Sequence, residues 1–426
     1  MNTVYKFPDG FLWGTATAAH QVEGNNYNSD GWLMEHLTHS LYLEPSGDAV
    51  DHYHRYQDDI RLLAELGFNS YRFSIEWARV EPEREFFSQA ILDHYKRMLE
   101  ACHQNQLVPM MTLHHFTSPR WLIHEGGWGS FETAARFGEY ASLVMRELGD
   151  LAGAVCTINE VNIPTMARML WMRHMDEEGD NDEDGDSFYR MALAEAATRF
   201  RVPIEKLKPF MLATSEHDRE VMLNAHQQAA LACKAEHPDV PVGMTLAMAD
   251  MQAEPGGELI RDEYRHELQD IFLDAAREGG DDFIGVQTYT RERYGPEGLL
   301  PVREGAPVTQ MGYENYPKAL EGTIRYAAAK SGLPVYVTEN GIGTSLDSER
   351  LAYYRTALQG VVACMRDGID VRGYYAWSAF DNFEWNSGYE KTFGIISVDR
   401  ETQKRKVKTS GFWLGDVAKA NQYPID

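Results

Sequence analysis

Eight short apolar or β-branched segments recur along the chain, and each is followed by turn residues and then a stretch with helical periodicity. We predict strands at Phe11 to Ala16, Ser70 to Ile75, Val108 to Leu113, Ala154 to Ile158, Val242 to Leu246, Phe283 to Gln287, Val335 to Thr338 and Gly373 to Trp377. This alternation is typical of a parallel sheet wrapped by helices. A doubly wound open sheet usually carries a glycine-rich phosphate turn after an early strand, and the first segment lacks one. The sequence therefore favours a single (β/α)8 barrel.

The chain is acidic, with 65 Asp and Glu residues against 40 Lys and Arg residues and a formal net charge of -25. Nucleic acid and anionic membranes both attract clustered Lys and Arg, so we expect neither as a partner. No apolar run is long enough to span a bilayer and the chain opens without a signal-peptide pattern, so we expect a cytoplasmic location. The cysteines at 102, 156, 233 and 364 form no C-x-x-C pair and are predicted to be buried thiols. The protein could be a monomer or a homo-oligomer.

No linker rich in proline, glycine or serine divides the 426 residues, so we predict one catalytic domain over residues 1–426. Its unusual part is an insertion around residues 172–220. The tract Asp176 to Asp186 is acidic and free of apolar residues, and we expect it to be a solvated loop after the fourth strand. The spacing of Asp180, Asp182 and Asp184 resembles the opening of a calcium loop, but Met191 stands at the twelfth position, where a bidentate Glu is expected. We therefore predict no metal site.

In a (β/α)8 barrel, chemistry takes place at the carboxyl ends of the strands. Glu160 in AVCTINE follows the fourth predicted strand, and Glu339 in PVYVTEN follows the seventh. A glycosidic bond needs a proton for its leaving oxygen and a carboxylate facing the anomeric carbon, and carboxyl groups about 5 to 5.5 Å apart give retention of configuration. Arg72 and Tyr289 would keep Glu339 ionised and leave Glu160 with its proton to higher pH. Arg72 could instead form a structural ion pair with Glu76 or another acid.

An aromatic-rich segment, WSAFDNFEWNSGYEKTFG, follows the last predicted strand and carries Asp381, Asn382 and Glu384 among its rings. A pyranose presents apolar C–H faces that stack on aromatic rings, and hydroxyl groups that pair with carboxylates and amides. Such a cluster is often part of a core, but its position at a barrel mouth favours a sugar site.

Several segments together identify a family. FPDGFLWGTATAAHQVEG, TLHHFTSPRWL, TINE, VTENG and WSAFDNFEWNSGYEKTFGIISVD occur in an order and spacing that resemble glycoside hydrolase family one, the β-glucosidase family, along nearly the whole chain. The resemblance implies that Glu160 is the acid/base and Glu339 the nucleophile, with Arg72 and Tyr289 supporting the nucleophile. It also implies that the sugar is bound by Gln21, His115, Asn159, Trp377, Glu384, Trp385 and Phe393.

The same resemblance implies the substrate class and exposes some departures. Members that hydrolyse 6-phosphoglycosides usually have a smaller residue at the Glu384 position, so unphosphorylated β-glucosides, β-galactosides or β-fucosides are expected, with no cofactor. The usual Asn-Glu-Pro is replaced by Asn159-Glu160-Val161, and the usual Asn-Tyr-Tyr by Gln287-Thr288-Tyr289. Contacts around the acid/base are therefore expected to differ, and the atypical 172–220 insertion leaves the aglycone open.

Two alternatives stand beside a hydrolase of β-glucosides. A transglycosidase would use the same covalent intermediate and pass the sugar to an acceptor hydroxyl instead of water. A catalytically inactive sugar-binding protein would keep the fold without turnover, since fold alone does not establish function. The presence of Glu160, Glu339, Arg72 and Tyr289 speaks against the inactive protein, because a pure binder has no need for two opposed carboxylates.

Overall fold

The computed structural model describes residues 3–169 and 183–425. Eight parallel strands form a closed barrel in which each strand pairs with the strands before and after it, and the eighth closes on the first. They are β1 (Leu12–Ala16), β2 (Ser70–Ser74), β3 (Val108–His114), β4 (Ala154–Ile158), β5 (Val242–Ala247), β6 (Phe283–Thr288), β7 (Val335–Asn340) and β8 (Val371–Trp377). The predicted (β/α)8 barrel is confirmed.

The predicted strands agree with the observed ones to within two residues at each end. The difference that matters lies in β7, which we predicted to end at Thr338. The strand continues through Glu339 and Asn340 because Asn340 is still paired with Thr288 on β6 and with Ala376 on β8. Glu339 is therefore held inside the barrel wall and does not follow the strand as expected.

Helices surround this barrel and fill the segments between the strands. The longer ones are His52–Leu66, Gln89–Gln104, Phe131–Leu148, Glu183–Phe200, Glu216–Glu236, Ala319–Ser331, Asp347–Arg366 and Thr409–Ala420. The shorter ones are Ala19–Val22, Asp30–Glu35, Trp77–Val80, Glu258–Arg265 and Ile271–Gly279.

The helix His52–Leu66 illustrates how the sequence builds this outer layer. Its buried positions include Tyr56, Ile60 and Leu63, which recur at helical spacing on one face and pack into the core. The helix ends at Gly67, whose φ of 112° lies in the left-handed region that glycine adopts without strain. The chain then turns directly into β2.

Two layers of side chains fill the barrel and its surroundings. The larger cluster lies between strands and helices and contains most of the buried aliphatic residues. A second cluster includes Met110, Phe283 and Tyr336 together with the mouth residues Trp377 and Phe393. The polar groups of the mouth therefore rest on a packed apolar interior, which fixes their positions.

Three small sheets lie outside the barrel, and the sequence analysis did not predict them. Asp250–Ala253, Arg291–Gly295 and Gly298–Leu299 form a three-stranded sheet beyond β5 and β6. Thr3–Lys6 pairs with Gln422–Ile425, and Ile396–Val398 pairs with Arg405–Val407. The first of these sheets borders the barrel mouth, so it contributes to the site described next.

The acidic tract lies partly outside the described residues, which resume at Glu183. Its last residues belong to the helix Glu183–Phe200, so the predicted loop is wrong for that portion. Asp180 and Asp182 of the calcium-like pattern lie outside the described residues. Over residues 3–169 and 183–425, no helix has the length and apolar character needed to cross a membrane.

Candidate active site

A cavity of about 1320 Å³ opens at the carboxyl ends of the strands, and it is roomier than most small-ligand sites. It is lined by most of the residues that the sequence analysis proposed for the site, namely His115, Asn159, Glu160, Tyr289, Glu339, Trp377, Glu384, Trp385 and Phe393. Gln21 and Arg72 do not line the cavity in the part of the chain that the structure describes. They lie behind that lining, and each contacts a carboxylate that belongs to it.

Glu339 is held by two donors at the end of β7. Arg72 Nη1 lies 2.6 Å from Glu339 Oε1, and the Tyr289 hydroxyl donates to Oε2 across 2.6 Å. Burial raises the pKa of Glu339, and the Arg72 charge and the Tyr289 hydrogen bond both act to lower it. Arg72 is fully buried and pairs with Glu339 and not with Glu76, so the alternative ion pair is ruled out.

A hydrogen-bonded chain extends from Arg72 to the cavity. Arg72 Nη2 donates to Asn159 Oδ1 across 2.5 Å, which fixes the orientation of that amide. Asn159 Nδ2 then lies 3.0 Å from His115 Nε2, and because an amide NH2 only donates, Nε2 accepts. Burial lowers the pKa of His115 well below its ordinary value, so the ring is neutral and carries its hydrogen on Nδ1. That atom is buried and has no protein partner in the described part of the chain.

Glu160 follows β4 by two residues and has a less polar setting than Glu339. Its backbone adopts a φ of 45°, and its N–H donates to Thr245 Oγ1 across 2.9 Å. Gln287 Nε2 lies 3.3 Å from Oε1 of its side chain. Burial raises the pKa of Glu160 well above its ordinary value, and the negative charge of Glu339 raises it further. The two carboxylates therefore differ in protonation, with Glu160 the one that keeps its proton.

Glu384 forms a third acidic position on the same cavity. Gln21 Nε2 lies 3.4 Å from Glu384 Oε2 and also donates to the Phe383 carbonyl across 2.7 Å. Burial and the nearby charge of Glu339 raise the pKa of Glu384 to about 8, although Trp377 and Gln21 donate to it. Gln21 Oε1 is buried without a partner among the described residues. These groups can pair with several hydroxyls of one ligand.

Aromatic rings form the floor and sides of this polar end. The rings of His115 and Trp377 stack at 5.8 Å, and those of His115 and Trp385 at 6.2 Å. Phe393 meets Tyr289 edge-on at 5.9 Å. Flat apolar surface beside hydrogen-bonding groups is the combination that a pyranose requires.

Some of the remaining lining residues are apolar, although charged residues such as Arg291, Arg293 and Glu314 line the cavity as well. We call the apolar group the apolar wall, and it consists of Ile163, Met166, Met211, Leu212, Met248, Leu299, Val302 and Met311. Met311 packs against the cluster that contains Trp377 and Phe393, so the wall begins beside the polar end. Methionine is flexible and polarizable, and it packs well against aromatic groups. The wall can therefore accept apolar ligands of varied shape.

Two sets of residues at this site were not predicted from the sequence. Gln287 was noted only as a departure from the family pattern, and its contact with Glu160 was not predicted. The apolar wall was not predicted either, because its residues come from several separate helical, strand and loop segments and no single motif joins them. The small sheet that supports Leu299 gave no clear signal either, since the segment TRERYG after β6 lacks the apolar and polar alternation of a strand.

No group of three or more His, Cys, Asp or Glu residues within the described ranges could hold a metal ion. The paired histidines illustrate this, since His114 and His115 point to opposite sides of β3. His114 lies 3.0 Å from Ser118 Oγ and packs against Trp128, whereas His115 faces the cavity.

Comparison with known proteins agrees with this geometry. The sequence model of Glycosyl hydrolase family 1 matches residues 3–280 and 286–423. Beta-glucosidase A of Acetivibrio thermocellus is 30% identical over 98% of this chain and 99% of its own. A bifunctional β-D-glucosidase/β-D-fucosidase of Bifidobacterium breve is 30% identical over 96% of this chain and 97% of its own.

A solved structure extends the comparison to three dimensions. The crystal structure of β-glycosidase BGL167 superimposes with a TM-score of 0.89 and 53% identity, covering 97% of both chains. The family resemblance inferred from the sequence motifs is thus confirmed, and so is the expectation that the protein is a glycoside hydrolase. The chain belongs to Glycosyl hydrolase family 1.

Proposed function

We propose that the protein is a retaining β-glucosidase in which Glu339 is the nucleophile and Glu160 the acid/base. The observation that carries this proposal is the unequal setting of two carboxylates on one cavity. Glu339 is hydrogen-bonded by Arg72 and Tyr289 at 2.6 Å each, and the pKa of Glu160 is raised by burial and by the charge of Glu339. One group is prepared to attack and the other to donate a proton.

In the first step, Glu160 gives its proton to the glycosidic oxygen while a Glu339 oxygen bonds to the anomeric carbon. The bond from that carbon to the leaving oxygen breaks, and the aglycone departs as an alcohol. Arg72 and Tyr289 hold Glu339 in place and keep it ionised beforehand. A covalent glycosyl ester on Glu339 results.

The second step follows from the charge that this ester removes. Once Glu339 is esterified, its negative charge no longer raises the pKa of Glu160, which is now ionised. Glu160 takes a proton from water as the water oxygen bonds to the anomeric carbon. The ester bond breaks and Glu339 returns as a carboxylate, with two inversions giving net retention.

The sugar-binding groups support an unphosphorylated glycone. Glu384 projects into the polar end, where an acidic residue offers a phosphate no counter-charge and can instead form hydrogen bonds with neutral hydroxyls. His115 Nδ1 and Gln21 Oε1 supply further unpartnered atoms among the described residues. We assign these residues, with Asn159, Trp377, Trp385 and Phe393, to glycone binding. Acceptance of β-fucosides is supported by the bifunctional relative from Bifidobacterium breve.

The apolar wall supports an apolar aglycone, such as an aryl group. A hydroxyl that faces Met166, Met248 or Met311 would have no partner on that wall, which is unfavourable. An aryl group would bury apolar surface there, at about 25 cal/mol per Å².

The test compares turnover of p-nitrophenyl β-glucoside, β-galactoside and β-fucoside by the wild type, Glu339→Ala and Glu160→Ala. We expect hydrolysis by the wild type and its loss in Glu339→Ala. We expect azide to restore turnover in Glu160→Ala and to give a β-glycosyl azide, because azide needs no general base. An α-glycosyl azide, or full activity of Glu339→Ala, would contradict the retaining assignment.

We further propose that residues 1–426 act as one catalytic domain and that the protein works in the cytoplasm. The four cysteines support a reducing compartment, since all are buried free thiols and none is paired.

A further inference from the structure

Gln287 lies near the end of β6, and its side chain reaches between the two carboxylates of the site. In the parallel ladder it is paired with Glu339 on β7 and with Ala247 on β5. Its Nε2 atom lies 3.3 Å from Glu160 Oε1, and a hydrogen bond from its side chain lowers the pKa of Glu339. Gln287 is only 1% exposed, so this amide is held inside the site.

The two carboxylates depend on this amide to different degrees. In the part of the chain that the structure describes, Gln287 is the one hydrogen-bond partner of the Glu160 side chain. Glu339 has Arg72 and Tyr289 in addition. Loss of the amide would therefore release Glu160 while Glu339 kept its two strongest contacts.

We propose that Gln287 is a positioning residue that selects which oxygen of Glu160 carries the proton; this inference rests on the proposed function. A neutral carboxyl group has one oxygen that bears hydrogen and one that accepts well. Because Nε2 donates to Oε1, Oε1 is the acceptor and the proton lies on Oε2. Oε2 is then the atom that gives its proton to the glycosidic oxygen.

The same contact serves the second step of the reaction. When Glu160 has lost its proton, the hydrogen bond from Nε2 becomes charge-assisted and stronger. Gln287 therefore keeps Glu160 in place while it acts as a base. Its length is suited to this role, since the asparagine expected from the family pattern is one methylene shorter.

The pKa of Glu160 is set by several groups besides this amide. Glu339 and Glu384 raise it through their negative charge, and Arg72 lowers it. Tyr289 and Tyr313 also face Glu160, and the pKa of each hydroxyl is raised, so both are neutral. Replacing Gln287 also removes a hydrogen bond that lowers the pKa of Glu339, and this change appears in the acidic limb of the pH profile. The basic limb therefore reports the hydrogen bond that Glu160 loses.

The experiment compares the wild type with Gln287→Met, which keeps the length of the side chain but cannot donate, and with Gln287→Asn. Substrates are aryl β-glucosides from 2,4-dinitrophenyl, whose departure needs little acid, to phenyl, whose departure needs it fully. For Gln287→Met we expect kcat/KM on the phenyl glucoside to fall about 30-fold and on the dinitrophenyl glucoside less than about threefold. The basic limb of its pH profile moves to higher pH, because the ionised form has lost a donor.

Gln269→Met and Gln287→Asn distinguish a positioning role of Gln287 from a role in packing. Gln269→Met removes a buried amide that donates to the Ala249 carbonyl across 3.0 Å and does not line the cavity as described. We expect it to act equally on both substrates, whatever it costs in stability. Gln287→Asn retains a donor and should recover part of the loss on the phenyl glucoside. Equal losses on both substrates in Gln287→Met, or no loss, would overturn the proposal.

A titration that needs no turnover keeps the two proposals distinguishable. The Glu160 carboxyl is followed by the infrared difference between each protein and its Glu160→Gln form, in the wild type and in Gln287→Met. We expect a higher pKa of Glu160 in Gln287→Met, and an unchanged pKa overturns the role of Gln287. A wild type that hydrolyses no glucoside would refute the proposed function, and the titration would still decide this inference.

Discussion

The polar end and the apolar wall of the cavity are built in opposite ways. At the polar end, Arg72, Asn159 and His115 form a continuous hydrogen-bonded chain, and Glu339 has a partner on each oxygen. The apolar wall is made of methionine and aliphatic side chains from separate segments of the chain, including the partly exposed Met211. The difference teaches that the polar end is fixed by directional contacts and the apolar wall by packing. Substitutions should therefore have large effects on rate at the first and small effects on specificity at the second.

The largest expected effect is that of Arg72→Met. The variant removes the charge that lowers the pKa of Glu339, and it also removes the donor that fixes the orientation of the Asn159 amide. We expect kcat/KM on p-nitrophenyl β-glucoside to fall about 10³-fold, and the acidic limb of the pH profile to move to higher pH because Glu339 ionises less readily. A drop with an unmoved acidic limb would show that Arg72 only supports the packing of the barrel. Arg97→Met is a suitable control, since Arg97 is exposed on the outer helix Gln89–Gln104.

Tyr289→Phe should have a smaller effect in the same direction. It removes the donor to Glu339 Oε2 and leaves the ring that packs against Phe393. We expect kcat to fall about tenfold, with the glucose-inhibition constant nearly unchanged, since one hydrogen bond to the Glu339 carboxylate is lost. A larger effect on inhibition by glucose than on kcat would assign the hydroxyl to sugar binding instead.

Met311→Gln tests the apolar wall. The substitution keeps the length of the side chain and adds an amide where we propose that the aglycone binds. We expect kcat/KM for naphthyl β-glucoside to fall about fivefold, while methyl β-glucoside changes less than twofold, because only the aryl group contacts the wall. Equal changes on both substrates would place Met311 in glycone binding. Met365→Gln, on an outer helix, provides the matched control.

The smallest expected effect is on stability. Burial raises the pKa of Glu384 to about 8 in the folded protein, above its ordinary value of 4.5, so the folded state favours the protonated form. The contribution of protonated Glu384 to the free energy of unfolding is complete below the pKa that the side chain has in the unfolded chain. It is lost as the pH rises through about 8. Glu384→Gln avoids the loss, so its Tm relative to wild type should increase by about 2 °C between pH 5 and pH 8.5. A constant Tm difference would mean that Glu384 stays ionised throughout.

The polar end could be predicted from the sequence because its residues stand at or near strand ends. Asn159 and Glu160 follow a run of buried β4 residues, and the barrel geometry then directs them to the mouth. Glu339 was found for the same reason, although β7 proved two residues longer than expected. The motifs were local in sequence, and the fold brought them together.

The apolar wall could not be predicted in this way. Met166, Met248 and Met311 follow different strands, and an apolar residue after a strand is equally consistent with ordinary packing. The bridge made by Gln287 was hidden for another reason. Its contact with Glu160 crosses β5, and no pattern along the chain records which side chains meet across a strand.

The closure of β8 on β1 has a consequence for how the chain reaches its native state. Gly14 on β1 pairs with Tyr375 on β8, so the first strand of the barrel gains its second neighbour only after the last barrel strand has been made. Until then β1 and β7 each present an open edge with unpaired backbone groups, and such edges promote association between chains. Trp377 and Glu384 are also made late in synthesis. A nascent or truncated chain is therefore both prone to aggregation and catalytically inactive. Once the whole chain is released, the barrel can close and the site is complete.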